Sequence, residues 1–370
     1  MRILYVTPLY LPFLGGLEVI CGQLLEELRD RGHEVAVVTG VNSHGEPLGV
    51  REIEGVPVLR VDAYHVETPG TPMETLLTQR QIRDFVDDFG PDVAHAHDGG
   101  AVLWLYQLGA KRRRPLLMTL HVVVSLHTPD RLALLAKLMA AADWVTGVSE
   151  DVVADTVAFA PEVRSRISTV RNAVASPGAP APLPDGPAEL LCLGRLVAQK
   201  GFDRALDALA VVVRRRPDVH LTIAGSGPDR LPLAAQISRL GLGEHVSLVG
   251  RVEHRHIKEL ISAATAVVMP SRFEGLPLVA LEAAWLGRPV VATDAPGLRC
   301  AIDDNITGIV VKQNDDEALA DGLLRLIEDR ALAQKLGANA RAAVEQDWTL
   351  GACVDEYESL YERLVDGRAS

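Results

Sequence analysis

The sequence predicts an α/β protein built from two doubly wound domains, each with a parallel sheet. The chain has 370 residues, which is enough for about two domains with a buried core in each. Short apolar runs alternate with longer segments of helical period in both halves. The short runs are apolar throughout rather than at every second position, which is typical of sheets covered on both faces. Such sheets bind ligands at the carboxyl ends of their strands, so a cleft between two facing domains is the expected site.

The first domain is predicted to cover residues 1–174. Its strand candidates are short apolar runs at residues 3–7, 34–39, 56–61, 92–96, 116–120, 144–147 and 167–171. Segments with apolar residues at helical spacing fill most of the gaps, at residues 17–31, 74–89, 131–142 and 150–159. Strands that alternate with helices favour βαβ units and therefore a parallel sheet.

A run dominated by Pro, Gly and Ala, residues 175–187, is interpreted as a linker between domains. The alternation then restarts in a second predicted domain, residues 188–348, and a final helical segment occupies the tail, residues 349–370. The strand candidates of this half are residues 189–193, 220–224, 246–249, 266–269, 290–292 and 308–311. The helix candidates are residues 202–215, 229–240, 254–262, 277–287, 316–328, 331–344 and 350–365.

Composition argues against several classes of function. A net charge of −12 and an aromatic content of 4% do not favour a nucleic-acid partner. The four cysteines are scattered without a CxxC pair, as expected for reduced thiols in a cytoplasmic protein. The first residues are predicted to form a strand rather than a signal peptide, and no run of about 18 uncharged apolar residues predicts a membrane span. The chain contains no Asp-x-Asp pair, which, together with the cations Arg195 and Lys200, favours a site that needs no metal. No resident cofactor is expected.

Three segments carry residues suited to binding a phosphate or a sugar. The first is Gly15-Gly16, between a strand and a helix, where backbone N–H groups could approach a phosphate. The second begins at Gly194 after a predicted strand and supplies two cations, Arg195 and Lys200, which suit a diphosphate. A flexible turn and a pair of solvated surface charges are the respective alternatives.

The third segment contains two glutamates, Glu274 and Glu282, around the predicted start of a helix. Pro277 suits the first turn of that helix, so Gly275 and Leu276 would offer backbone N–H groups at its N-terminus. Glu274 is predicted to lie at the loop mouth and to accept hydrogen bonds from hydroxyl groups. Glu282 lies among apolar helix residues, where a carboxylate needs a partner, either a ribose diol or a nearby Arg.

Taken together, these segments resemble the signature of family 4, the retaining glycosyltransferases of the GT-B fold. The resemblance rests on Glu274 and Glu282 in their shared segment, on the Gly15-Gly16 loop, on the segment from Gly194 to Gly201, and on residues 224–228, in the family's order. It covers nearly the whole chain. It implies a GT-B fold with an acceptor-binding N-terminal domain, a nucleotide-sugar-binding C-terminal domain and a final helix that crosses back onto the N-terminal domain.

The resemblance also implies a role for individual residues. Arg195 and Lys200 would bind the donor diphosphate, Glu274 the hydroxyls of the sugar, and Glu282 the ribose. The implied remaining contacts are backbone N–H groups near Gly275 and Leu276 to the sugar and phosphate, the main chain at Val252 to the base, and the His121 side chain, which would face the donor sugar. The expected partners are a nucleotide-sugar donor, with UDP first and GDP second, and a small-molecule or lipid-linked acceptor.

The sequence departs from the family pattern at two places. Residues 172–175 read Asn-Ala-Val-Ala where the family often has Asn-Gly-Val-Asp, and residues 295–299 lack an acidic residue and end in Arg299. These differences leave the identity of the donor open. Two other activities stay open as well, a nucleotide-sugar 2-epimerase of the same fold and a non-catalytic protein that binds a sugar nucleotide.

Other polar segments have simpler explanations. Residues 95–98, His-Ala-His-Asp, are interpreted as acceptor-side polar residues or as a satisfied turn, because no third metal ligand is visible. The basic runs at residues 111–114 and 214–216 could contact an anionic membrane surface, but we favour cations that complement helix C-termini. The Gly-x-Gly stem at residues 225–227 lacks its third glycine, which argues against NAD.

Overall fold

The computed structural model describes residues 1–12, 15–41, 47–63, 72–109 and 114–367. The chain forms two compact units. Unit 1 comprises residues 1–172 together with 350–370, and unit 2 comprises residues 173–349. The chain therefore passes between the units twice, after Asn172 and after Thr349.

The sheet of unit 1 has eight strands among the described residues, in the order β3-β4-β2-β1-β5-β6-β7-β8. All neighbouring strands are parallel except β3 and β4. The strands are β1 (Arg2–Thr7), β2 (Glu34–Gly40), β3 (Gly49–Ile53), β4 (Val56–Val61), β5 (Val93–His97), β6 (Leu116–Leu120), β7 (Trp144–Gly147) and β8 (Ile167–Thr169). The helices between and after these strands are α1 (Gly16–Asp30), α2 (Pro72–Phe89), α3 (Ala101–Gly109), α4 (Pro129–Ala141) and α5 (Glu150–Phe159).

Unit 2 has a six-stranded, fully parallel sheet in the order β11-β10-β9-β12-β13-β14. Its strands are β9 (Glu189–Leu193), β10 (His220–Ala224), β11 (Val246–Gly250), β12 (Ala266–Met269), β13 (Val290–Thr293) and β14 (Gly308–Val311). Its helices are α6 (Phe202–Arg215), α7 (Arg230–Leu240), α8 (Ile257–Ala263), α9 (Leu278–Trp285), α10 (Asp316–Glu328) and α11 (Arg330–Asp347). Apolar clusters fill both faces of this sheet.

The last helix, α12 (Leu350–Asp366), belongs to unit 1 and packs against α1 and β5. Its buried positions form one helical stripe, Cys353, Val354, Tyr357, Leu360 and Tyr361. At the surface, Arg31 Nη1 donates to Asp355 Oδ1 at 2.5 Å and to Glu358 Oε2 at 2.6 Å. The tail helix is thus fixed to unit 1 by both apolar packing and ion pairs.

The predicted class, two parallel-sheet α/β domains, is confirmed. Among the described residues, one α-helix and one strand were not predicted. Helix α3 is apolar on nearly every side, so its sequence lacks the polar face that reveals a helical period. Strand β3 is an exposed edge strand, paired antiparallel with β4, and edge strands need no continuous apolar run.

The Pro-rich segment predicted as a linker, residues 175–187, lies in unit 2. The segment forms neither a helix nor a strand, and arginine side chains donate hydrogen bonds to several of its carbonyl groups. Buried Arg288 donates from Nη1 to Ala181 O and from Nη2 to Pro182 O, both at 2.8 Å. Arg330 Nη2 donates to Leu183 O at 2.6 Å. The segment is therefore fastened to the body of unit 2.

Candidate functional site

Lys200 and Glu274 form the centre of the candidate site in unit 2. Lys200 ends a 3-10 turn after β9, and Glu274 lies in the loop after β12, so both follow the carboxyl ends of neighbouring strands. Lys200 Nζ donates to Glu274 Oε1 at 2.7 Å, and the side chains are 16% and 6% exposed. Ser271 Oγ donates to the same oxygen at 2.6 Å. The Glu274 carboxylate is thus held by two charge-assisted hydrogen bonds.

The second oxygen of this carboxylate is available. Within the described part of the chain, Glu274 Oε2 has no hydrogen-bond partner. The sequence predicted that Glu274 lies at the loop mouth and accepts hydrogen bonds from hydroxyl groups, and that role stays a prediction. It did not predict that the side chain is largely buried, with one oxygen bound to Lys200 and Ser271. The remaining oxygen can still accept a hydrogen bond from a ligand hydroxyl.

Glycines allow the loops around Glu274 to approach each other closely. Gly297 has φ of +81°, and a Cβ there would overlap the carbonyl oxygens of Glu274 and Gly275. The Glu274 backbone N–H donates to Pro296 O at 2.9 Å. Residues 295–299, which lack the acidic residue of the family pattern, therefore support the backbone of Glu274.

Arg195 and Gly194 lie next to Lys200. The side chain of Lys200 runs across Gly194, because a Cβ at Gly194 would lie 3.3 Å from Lys200 Cε. Arg195 is exposed, and its side chain has no partner among the described residues. The structure thus brings Gly194, Lys200 and Glu274 together, and it leaves the guanidinium of Arg195 unpaired in solvent, able to bind an anion.

Glu282 lies on α9, with its side chain 12% exposed. Burial raises the pKa of Glu282 to about 7. Its nearest cationic partner is His254, whose Nδ1 is 3.9 Å from Glu282 Oε1, rather than an Arg. Burial also lowers the pKa of His254, so the imidazole is largely neutral at pH 7 and compensates little of the carboxylate charge. Glu282 is therefore a poorly compensated carboxylate. The sequence offered a ribose diol or an Arg as its partner, and it did not predict the neighbouring His254.

Helix α9 begins one residue later than the sequence indicates. Pro277 is its N-cap rather than a residue of its first turn, and Leu276 is buried. Val252 is half-buried and packs, like Val279, against the apolar cluster of this side of the sheet. The main-chain contacts expected at Leu276 and Val252 stay predictions.

The Gly15-Gly16 turn in unit 1 lies at the start of α1, and phosphate binding there stays a prediction. Gly15 is the N-cap of α1 and Gly16 its first residue. A Cβ at Gly15 would overlap the Glu18 carboxylate, which is buried and lies against this turn. A carboxylate of the chain itself therefore lies near the helix N-terminus, which favours a structural role for the two glycines.

His121 belongs to a buried polar network in unit 1. His121 Nε2 is 3.0 Å from His97 Nδ1, and the His121 backbone N–H donates to Asp98 Oδ1 at 2.8 Å. His95 Nδ1 is 2.6 Å from the Tyr361 hydroxyl on α12. His95 and His97 are fully buried on β5 and do not line an acceptor surface, which corrects the acceptor-side interpretation. Asp98 is consistent with a satisfied turn.

The remaining polar segments form local structure where they are described. Residues 111–113 of the first basic run lie outside the described residues. In the second run, Arg215 pairs with Glu328 at 3.0 Å and Arg216 with Asp218 at 3.0 Å. Gly225 lets its backbone pass so close to Gly194 that a Cβ would overlap the Gly194 carbonyl oxygen.

The described residues contain neither a membrane-spanning helix nor a metal-binding cluster. No helix there is long and apolar enough to cross a membrane. No group of three or more His, Cys, Asp or Glu side chains in the described ranges is arranged to hold a metal ion.

Two family profiles together match most of the chain. The profile described as Glycosyltransferase Family 4 matches residues 14–176, and the one described as Glycosyl transferases group 1 matches residues 179–343. The chain belongs to the GT-B glycosyltransferases of family 4. In this glycosyltransferase, Gly15, Gly16 and His121 lie within the first match, and the Lys200–Glu274 pair lies within the second.

Curated relatives and solved structures agree with this assignment. Alpha-D-kanosaminyltransferase of Streptomyces kanamyceticus is 35% identical over 47% of this chain, and the match spans 45% of that enzyme. Glycogen synthase of Mycobacterium tuberculosis is 28% identical, with 94% of this chain and 91% of that enzyme covered.

Among solved structures, sucrose-phosphate synthase of Thermosynechococcus elongatus has a TM-score of 0.84 at 22% identity, covering 99% of this glycosyltransferase and 100% of that chain. Anabaena HepE, solved with UDP and glucose, has a TM-score of 0.81 at 20% identity, covering 98% and 99% of the two chains. These structures confirm the predicted GT-B fold.

Proposed function

We propose that this chain is a retaining glycosyltransferase that moves a hexosyl unit from a nucleotide-diphosphate sugar to an acceptor hydroxyl. UDP is the first choice of nucleotide and GDP the second; the UDP complex of HepE supports that order. The observation that carries the proposal is the Lys200–Glu274 pair at the carboxyl ends of β9 and β12, with one open carboxylate oxygen. A cation suited to phosphate thus lies beside an acceptor suited to sugar hydroxyls, which supports the proposal. The acceptor is a small molecule or a lipid-linked sugar.

Donor binding would rearrange this pair. The donor diphosphate would take the Lys200 ammonium away from Glu274 and would also attract the unpaired Arg195 guanidinium. The released Glu274 oxygen, together with Oε2, would accept hydrogen bonds from two sugar hydroxyls. Glu282, which lacks a strong protein partner, would gain the ribose hydroxyls as donors. The backbone near Gly275 and Leu276 would approach the sugar and phosphate.

The transfer itself would be driven by stabilisation of the leaving group. The bond from the sugar C1 to the diphosphate oxygen breaks, and a bond from the acceptor oxygen to C1 forms on the same face. The acceptor proton passes to an oxygen of the departing diphosphate. Arg195 and Lys200 would stabilise the negative charge that grows on the diphosphate, so this proposal requires no metal ion. His121 would face the donor sugar.

Removing either cation tests the mechanism. We expect Arg195→Ala and Lys200→Ala each to lower kcat about 10²-fold or more, the scale of one lost oxyanion donor. Arg215→Ala, which removes a surface cation paired with Glu328, is the matched control and should leave kcat unchanged. The measurement is steady-state transfer with the nucleotide sugar identified below. Near-normal kcat in both site variants would contradict the proposed roles.

Thermal-shift measurements with UDP-, GDP-, ADP- and dTDP-sugars identify the donor. A ligand present at 100 times its Kd should stabilise the protein by about 2.7 kcal/mol. Product analysis then separates the activities that the sequence left open. An epimerase would release an isomerised sugar or free nucleotide without an acceptor, and a non-catalytic protein would bind the donor without turnover. Either result would overturn the transferase proposal.

A further inference from the structure

The His97–His121 contact in unit 1 determines where the protons of both rings lie. His97 is fully buried on β5, and its Nδ1 is 3.0 Å from Nε2 of the partly exposed His121. The second nitrogen of His97, Nε2, is buried without a hydrogen-bond partner in the described structure. By contrast, His121 Nδ1 is not buried in this way, and it has no partner among the described residues. One ring nitrogen of the pair is thus enclosed, and one is open.

Both rings are neutral near pH 7. Burial lowers the pKa of His97, and the neighbouring rings of His95 and His121 lower it further. Burial also lowers the pKa of His121, which outweighs the opposite effect of the Asp98 carboxylate. Each ring therefore carries one proton, and one of the two must lie between His97 Nδ1 and His121 Nε2 to make the hydrogen bond.

Either ring could donate the hydrogen bond, and the buried Nε2 of His97 decides which of them does. If His121 Nε2 donated the bond, His97 would carry its proton on Nε2, and this N–H would be buried without an acceptor. Aromatic faces do not replace that acceptor, because His97 is tilted by only 30° to Tyr5 and 35° to His95. If His97 Nδ1 donates instead, its Nε2 is an unprotonated nitrogen, and orphaned N–H groups are the rarer and costlier case.

We propose that His97 is a positioning residue that fixes His121 as a neutral imidazole with its proton on Nδ1, so that the open nitrogen is a hydrogen-bond donor. Asp98 holds the backbone of His121 at 2.8 Å, and His97 sets the tautomer of the ring. The natural ligand atom is a hydroxyl or ether oxygen of a sugar, which accepts this bond without needing a charge. The contact with a sugar oxygen rests on the proposed function, whereas the tautomer of His121 is independent of it.

His95 provides an internal comparison. It lies two residues from His97 on the same face of β5, with ring centroids 4.1 Å apart. Both of its nitrogens are bonded within unit 1, Nδ1 to the Tyr361 hydroxyl at 2.6 Å and Nε2 to Thr119 Oγ1 at 2.7 Å. It makes no hydrogen bond to His121. A substitution of His95 therefore changes the same face of β5 without removing the N–H group that His97 donates to His121.

The tautomer can be measured directly in the free protein by ¹⁵N NMR of histidine rings, with His121 assigned through its loss in His121→Asn. We expect the Nδ1–H form of His121 in the wild-type protein and in His97→Asn, whose amide nitrogen occupies the place of Nδ1. His97→Leu cannot donate and should release the ring to the Nε2–H form. His95→Gln should leave the His121 shifts unchanged. An Nε2–H form in the wild type, or an unchanged spectrum in His97→Leu, would overturn the proposal.

Activity provides the second readout. We expect kcat/KM to fall about tenfold in His97→Leu, the scale of one hydrogen bond, and to recover in His97→Asn. The unfolding midpoint of each variant shows whether the loss is structural; an equal loss of activity in His95→Gln would contradict the positioning role. If no sugar nucleotide is turned over, the proposed function fails, while the NMR result still decides the tautomer. If His97→Leu does not fold, the wild-type spectrum alone decides it.

Discussion

At the residue scale, the candidate site combines a compensated carboxylate with a poorly compensated one. Glu274 has Lys200 and Ser271 as partners, whereas Glu282 has, among the described residues, a single charged-type neighbour, the largely neutral His254 at 3.9 Å. The sequence identified both glutamates from their place around a helix start. It could not show that Lys200 would bind Glu274, because the two residues are separated by 74 positions and meet only through sheet order.

The titration of Glu282 should be visible in the stability of the protein. Its pKa in the folded state, about 7, lies above the ordinary value of 4.5. Its contribution to stability is therefore fully present below pH 4.5 and is lost as the pH rises through 7. Replacing it with Gln removes this dependence. We expect the free energy of unfolding of Glu282→Gln, relative to the wild type, to rise between pH 5 and 8, by on the order of 3 kcal/mol at most.

Urea denaturation at four pH values between 5 and 8 measures this difference. Glu253→Gln is the matched control, since Glu253 lies next to His254 but is exposed. Its difference from the wild type should stay nearly constant with pH. If the Glu282→Gln and wild-type curves run parallel, burial does not raise the pKa of Glu282.

At the element scale, helix α12 is joined to the sheet of unit 1 by tyrosine hydroxyls as well as by apolar contacts. Such contacts span most of the chain: Tyr361 lies 266 residues after His95. The sequence indicates α12 as an amphipathic helix, and the family resemblance implies its return to the N-terminal domain. The individual partners could not be predicted, because a tyrosine on an apolar stripe gives no sign of what its hydroxyl will meet.

Tyr361→Phe tests this connection. It leaves His95 Nδ1 buried without its partner, so we expect a loss of about 1–3 kcal/mol in the free energy of unfolding. Tyr357→Phe is the control on the same helix, since the Tyr357 hydroxyl is 3.4 Å from Thr119 Oγ1 and makes a weaker bond. Chemical denaturation compares the two. A Tyr357→Phe protein as destabilised as Tyr361→Phe would argue against a specific role for the His95 contact.

At the scale of the whole molecule, the sequence predicts strands better than connections. The ranges 56–61, 116–120 and 189–193 are strands as predicted, because buried parallel strands are continuous apolar runs. The Pro-rich segment was interpreted from composition alone. Composition shows that a segment cannot form a helix or a strand, but it does not show that distant arginines will bind its carbonyl groups.

Arg288 is a buried arginine that binds the Pro-rich segment to unit 2. It is 1% exposed and donates to carbonyl groups of Ala181, Pro182 and Ser262. Arg288→Met would leave these carbonyls without a donor, and we expect it to lower the free energy of unfolding by roughly 3 kcal/mol or more. Arg330→Met, at a half-exposed position, should cost less. Denaturation together with limited proteolysis at residues 178–184 checks this; resistance equal to the wild type would contradict it.

The bond between Lys200 and Glu274 has a consequence for selectivity. If inorganic pyrophosphate bound Lys200, the largely buried Glu274 carboxylate would lose its hydrogen bond to the ammonium and would lie near a second anion. Pyrophosphate has no hydroxyl group that could donate a hydrogen bond in its place. A molecule that carries hydroxyl groups next to its phosphates would bind Lys200 through the phosphates and donate hydrogen bonds to Glu274 through the hydroxyls. Under the proposed function, the resting pair would therefore disfavour simple anions, and we expect inorganic pyrophosphate to compete poorly with the complete donor.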